Sequence, residues 1–176
     1  MPIVSGNTTL QGATNISGSG TTYGIVQDSV GRVRFPLNPC FFAYDHVNTG
    51  SNVNLVWRQT RVNVGGHYNT SNGRFTAPIA GTYFFQWSNI GNNSSTVTRY
   101  RFYRNGTNWL GGNELRLDHN RQGGPEGYGP NGVKATTIFL NAGDFVNINF
   151  RADNGTTDYF VSGIDEYQMF AGWLVG

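Results

Sequence analysis

The chain is poor in charge. Only 12% of its 176 residues are Asp, Glu, Lys or Arg, about half the roughly 25% usual in soluble proteins. Twelve basic against ten acidic residues leave a net charge of +2 with no basic stripe, which excludes a nucleic-acid backbone as partner. A single cysteine, Cys40, excludes an internal disulfide, and its setting Pro39-Cys40-Phe41-Phe42 is that of a buried, inert thiol. No apolar run approaches the roughly eighteen residues of a membrane span, so membrane insertion is not expected. The opening Met1-Pro2-Ile3-Val4-Ser5-Gly6 lacks the basic and apolar regions of a signal peptide, and the expectation is synthesis in a cytoplasm without general export. Glycine does not recur at every third position, so there is no collagen stalk, and apolar residues nowhere keep a helical period of useful length.

Recognisable catalytic spacing is missing as well. The histidines are His46, His67 and His119, with no His-Glu-x-x-His, no Gly-x-Ser-x-Gly elbow and no glycine loop ahead of a helix to cradle phosphate. The chain reads as a non-enzyme with no catalytic residue and no cofactor.

What is abundant is glycine (25 residues), aromatic side chains (12 Phe, 9 Tyr and 4 Trp) and uncharged Asn, Thr and Ser. The length suits one buried core plus an appendage. Residues 1–34 are dominated by Gly, Ser, Thr and Asn, with Leu10, Ile16, Ile25, Val26, Val30 and Val33 too sparse to build a core. They are expected to form an irregular arm or stem that anchors or trimerises the protein, and residues 35–176 a globular head, with Pro36 and Pro39 marking the junction.

In the head, short alternating runs separated by Gly and Asn turns indicate an all-β sandwich of about ten antiparallel strands. Phe41-Phe42-Ala43-Tyr44 and Val53-Asn54-Leu55-Val56-Trp57 are the first strand candidates. Asn105-Gly106 is the preferred pair for a type I′ hairpin turn after residues 97–103, with a strand resuming at Asn108-Trp109-Leu110. Residues 111–132 read as loops with a weak strand at 115–117. Residues 135–140 and 145–150 read as a hairpin about Asn141-Ala142-Gly143-Asp144, with Val146, Ile148 and Phe150 facing inward and Asn147 and Asn149 outward. Residues 159–161 and 169–175 complete the strand list.

Four blocks then recur in a familiar order. Gly66-His67-Tyr68, Gly73-x-Phe75-x-x-Pro78 and Gly81-x-Tyr83-x-Phe85, the Ala142-Gly143-Asp144-x-Val146-x-Ile148 run, the closing Phe170-x-Gly172-x-Leu174 and the opening Pro39-x-Phe41-x-Ala43 together resemble the globular domain of the C1q family. That family is a branch of the tumour necrosis factor-like jelly rolls. The resemblance covers about residues 36–176; Asn69 stands where the family usually has Asp.

The resemblance implies a jelly roll whose first and last strands are neighbours, so residues 36–45 should lie beside 169–175. It also implies a homotrimer in which one sheet of each subunit faces the threefold axis, and three arms that leave from one end. Tyr68, Phe75, Tyr83, Phe85, Trp87, Phe170 and Trp173 are the expected core and trimer-packing residues. Tyr83-Phe84-Phe85-Gln86-Trp87 carries aromatics on both alternating sets, as a sheet buried on both faces requires. Loop aromatics Trp109, Tyr128, Tyr159 and Tyr167 are candidate contacts for a glycan or protein ligand. Asp153, Asp158, Asp165 and Glu166 are weak candidates for Ca²⁺, although their spacing fits no calcium loop. The functional expectation is a trimeric virion structural protein of a bacteriophage (fibre, knob or capsid decoration), its arm bound to other virion proteins and its head serving adhesion or particle stabilisation. The alternative is an extracellular C1q-like lectin or recognition module.

Overall fold

The computed structural model describes residues 14–18, 21–27, 30, 32–46, 53–91, 98–108, 117–119, 129–152 and 168–176. The chain divides into two compact units, Met1–Asn38 and Pro39–Gly176. In the first, β1 (Thr14–Gly18), β2 (Thr21–Gln27) and β3 (Val33–Arg34) form an antiparallel meander in that order. An irregular arm was expected because apolar residues are sparse. Ladder formation, however, needs only main-chain partners and tolerant side chains such as Thr and Ile, which apolar spacing does not report.

The second unit contains β4 (Cys40–His46), β5 (Val53–Asn54), β6 (Trp57–Val64), β7 (Tyr68–Asn69), β8 (Arg74–Thr76), β9 (Gly81–Gly91), β10 (Thr98–Arg104), β11 (Thr107–Asn108), β12 (Leu117–His119), β13 (Gly129–Leu140), β14 (Phe145–Ala152) and β15 (Met169–Leu174). They make two antiparallel sheets. One has the order β13-β9-β15-β4-β6; the other runs β11-β10-β14-β8-β7, with β12 also on β10 and β5 also on β14. First and last strands are neighbours: Phe170 lies opposite Ala43 and Trp173 opposite Cys40. This is the jelly roll the sequence implies. The described residues contain no helix long and apolar enough to cross a membrane.

Aromatic rings fill the space between the sheets. Phe41 stacks on Tyr68 (centroids 4.8 Å apart) and on Phe75 (5.1 Å), and meets Phe170 edge-on at 4.9 Å. Tyr83, Phe85, Trp87, Phe102 and Ile148 close the interior. The Tyr68 hydroxyl accepts from Trp57 N and donates to Trp57 O, both at 3.2 Å; burial pushes this phenol above its usual range.

The turns explain the glycine-rich motif. Residues 63–68 fold back so that the Asn63 amide brackets the Tyr68 backbone, donating to its carbonyl (2.9 Å) and accepting from its N–H (3.0 Å). Residue 73 ends the β7–β8 turn at φ 70°, where a side chain would collide with the Leu55 carbonyl. Gly73→Ala is therefore expected to lower the unfolding free energy by about 2–3 kcal/mol, from left-handed strain plus overpacking against backbone. Chemical denaturation measures it, and a loss below about 0.5 kcal/mol would contradict the close approach.

Several expected strands are partnered differently. Residues 135–150 do not form a hairpin: β13 pairs with β9 and β14 with β10, so the turn at 141–144 is a corner carrying the chain from one sheet to the other. Asp144 holds that corner. Its carboxylate accepts from Asn141 N (2.9 Å) and Asn105 Nδ2 (2.7 Å) and faces Arg104 at 3.2 Å; these hydrogen bonds, the Asn105 one first, hold its pKa below the usual value. Residues 53–57 likewise split between sheets, β5 pairing with β14 and β6 with β4. Within 111–132, β12 falls at 117–119 and β13 already begins at Gly129. The Asn105-Gly106 turn has both residues at positive φ, 52° and 76°, as type I′ requires. The strand expected at 159–161 lies outside the described residues.

Asn147 and Asn149 were expected to face solvent. They point away from Val146 and Ile148, yet only 1% and 6% of their surface is exposed. Both amides donate to Asn54 Oδ1, at 3.0 and 3.2 Å, because β5 lies alongside β14 there. Polar alternation marks the side away from the core, not exposure.

Candidate functional site

Alternation along the five-stranded sheet sends one set of side chains into the core and the other onto its free face. Inward go Phe41, Ala43, Tyr83, Phe85, Trp87, Ile138, Leu140 and Phe170, all at most 3% exposed. Strand register places the outward set in rows: Val133, Ser88, Met169 and Tyr44; then Ala135, Gln86, Ala171 and Phe42; then Thr137, Phe84, Trp173 and Cys40. No side chain in these three rows is charged.

Much of the face is open apolar surface. Val133 is 61% exposed, Phe139 56% and Trp173 39%, and Val62 adds 43% from the edge strand β6. Trp173 rests on Phe84 with centroids 4.6 Å apart and the rings tilted by 37°, which holds its ring against the sheet. At the β6 border Arg61 lies over the Tyr44 ring at 5.2 Å. A contiguous uncharged patch carrying Trp, Phe and Val is the composition of a protein contact rather than of a surface facing water.

Of the residues the sequence singled out, Tyr68, Phe75, Tyr83, Phe85, Trp87 and Phe170 lie in the interior, where their side chains hold the two sheets together. Trp173 alone of that group lies on the free face. Trp109, Tyr128, Tyr159, Tyr167, Asp153, Asp158, Asp165 and Glu166 lie outside the described residues. Among the described residues no three His, Cys, Asp or Glu side chains cluster as metal ligands would. Cys40, expected to be buried, is half-buried on the free face. Its neighbours in sequence gave no sign of this, because Pro39 and Phe42 are apolar on either side of the sheet. Val62, Val133 and Phe139 were not anticipated; the signal was present, since β13 carries apolar residues at 133, 135 and 139 in the same alternating set.

His67 lies against the edge of Phe75, ring centroids 6.4 Å apart, and its carbonyl accepts from Thr76 N at 2.9 Å; partial burial lowers its pKa. His46 is more perturbed. Asp45 takes a left-handed φ of 63°, breaking the alternation of β4 so that His46 turns inward, 3% exposed, with its ring 5.6 Å from Trp57. Burial, and secondarily the charge of Arg58, lower its pKa to about 4. A histidine neutral in the fold but protonated when unfolded below pH 6.5 contributes stability that is complete above pH 6.5 and lost as pH falls through 4. The loss is about 3 kcal/mol. Urea midpoints at pH 7.5, 5.5 and 4 should show it in the wild type and much less in His46→Gln; equal slopes for both proteins would refute it.

The model of the C1q domain matches residues 41–175. No curated protein matches the chain. Among solved structures, the fold is similar to the globular domain of zebrafish complement 1qA protein (TM-score 0.55, 13% identity, covering 79% of this chain and 98% of that one). It is similar to murine APRIL (0.54, 12%, 77% and 96%) and to Eiger TNF from S. frugiperda (0.56, 12%, 79% and 93%). With a family model spanning most of its length and both sheets arranged as above, the chain belongs to the C1q domain family.

Proposed function

We propose that this protein is a homotrimeric, non-enzymatic recognition module whose three heads pack the free faces of their five-stranded sheets about a threefold axis. The observation that carries the reading is the uncharged face bearing Phe84, Val133, Phe139 and Trp173, too apolar to be left to water. Burying it among three copies puts aromatics on both sides of β9, which explains a composition richer in rings than one sandwich interior needs. Trp109, Tyr128, Tyr159 and Tyr167 are the residues we assign to contact with a cell-surface glycan or protein. Light scattering at micromolar concentration should give three times 19.3 kDa; a monomer there would end the reading.

The setting we propose is a bacteriophage virion, with residues 1–34 fixing the head to the particle as a fibre, knob or capsid decoration. Its support is the low charge and the stem composition ahead of the head. Membership of the C1q domain family supports an extracellular lectin as the second reading. Detection of the protein in purified particles favours the first. Its recovery as a free protein that binds a glycan array favours the second.

A further inference from the structure

Among the described residues, most exposed large apolar side chains fall at two places: the free face of the head, and a run of eight residues in the first unit. There Val30 is 72% exposed, Val33 54%, Phe35 61% and Leu37 36%. One such residue would need no explanation; four in eight residues form a sticky segment that a lone chain leaves in water. The segment is also held in shape. Asn38 N donates to Phe35 O at 3.0 Å, closing a turn whose second residue, Pro36, fixes φ. Among the described residues, no strand pairs with the edge of β3 away from β2.

We propose that Val33, Phe35 and Leu37 form a second assembly contact, packing against the same residues of the other two copies immediately ahead of the heads. This rests on the trimer reading above. The occupant follows from chain reach. Pro39 is tied to the head, its carbonyl accepting from Leu174 N at 3.0 Å, and the adjoining Cys40 lies opposite Trp173 on the free face. Threefold packing of that face brings three copies of residue 39 to one end of the assembly. Leu37 then follows within about 7 Å of chain and Phe35 within about 14 Å. Threefold symmetry then presents to each such segment the same segment of the neighbouring copies, an apolar surface of the same kind.

The test uses the full-length chain with V33S/F35S/L37S, positions exposed in the monomer and so outside its core. Sedimentation velocity across a dilution series should show the variant leaving the trimer at a concentration at least tenfold higher than wild type, with the same near-ultraviolet circular dichroism from the head tryptophans at concentrations where both are trimeric. Equal dissociation of variant and wild type overturns the proposal while leaving the head trimer intact. A wild type that is monomeric throughout overturns the trimer reading itself. As a check independent of stability, F35C in a Cys40→Ser background should form interchain disulfides on mild oxidation, and Ser71→Cys on the exposed β7–β8 turn should not. Absence of the F35C cross-link would also overturn it.

Discussion

Replacing Phe41 with alanine is expected to lower the stability of the head by about 4 kcal/mol, a large part of the 5–15 kcal/mol that typical domains possess. Phe41 touches rings from every part of the interior: Tyr68 and Phe75 from the seven-stranded sheet, Phe85 and Phe170 from the five-stranded one. These partners cannot collapse into the gap. Each is itself fixed by other contacts, Tyr68 through its two hydrogen bonds to Trp57 and Phe75 by Tyr83 and Phe85 at 5.5 Å. The cavity term is therefore added to the lost transfer energy rather than relaxed away. Gly172 shows how tightly this site is filled, since a Cβ there would press on the Phe85 and Phe41 rings. Urea unfolding followed by tryptophan fluorescence, with both proteins at one concentration so that assembly contributes equally, measures the effect. Ile79→Ala, at a position 46% exposed, serves as reference and should lose less than about 1 kcal/mol. A Phe41→Ala loss no larger than the reference would mean that the ring cluster is not what holds the sheets together.

The same core shows which features could be read before any coordinates. Alternation in Tyr83, Phe85 and Trp87 and the Asn105-Gly106 pair specified strands and one hairpin, because each depends on local geometry, whereas the jelly roll came from the resemblance that the order of the glycine motifs carries. What alternation cannot report is the partner. β13 and β14 both bury one side against the same interior, so a sequence pattern that fits a hairpin fits two facing sheets equally well. Residues 53–57 look like one strand for the same reason, although the chain changes sheet at Leu55, whose N–H donates to Ile148 O at 2.8 Å. Asn147 and Asn149 obey the polar alternation of a wet face and are nonetheless covered. The double-sided aromatic pattern of β9 did announce an apolar face on the side away from the core. The residues opposite it were less legible, because Val62, Val133 and Phe139 acquire meaning only when the register sets them in one plane with Trp173.

Placing a carboxylate in that plane should abolish the proposed assembly, and Trp173→Glu is expected to give a monomer at concentrations where the wild type scatters as the proposed trimer. In a single chain the substitution is mild. Trp173 is 39% exposed and outside the core, so the glutamate keeps its water and the sandwich keeps its interior. In a trimer packed on this face, three carboxylates would be taken out of water into an outward set that supplies no positive charge. Desolvation costs several kcal/mol for each unpaired ion, and mutual repulsion adds to it. The lost contact with Phe84 is the smaller effect, and Trp173→Phe, which keeps a ring over Phe84, should remain trimeric. Light scattering at about ten micromolar reads the mass, and circular dichroism in the far ultraviolet confirms that the monomer is folded. A folded Trp173→Glu that still weighs three chains would place the assembly contact elsewhere on the head, because no interface buries three unpaired carboxylates without a measurable loss of affinity.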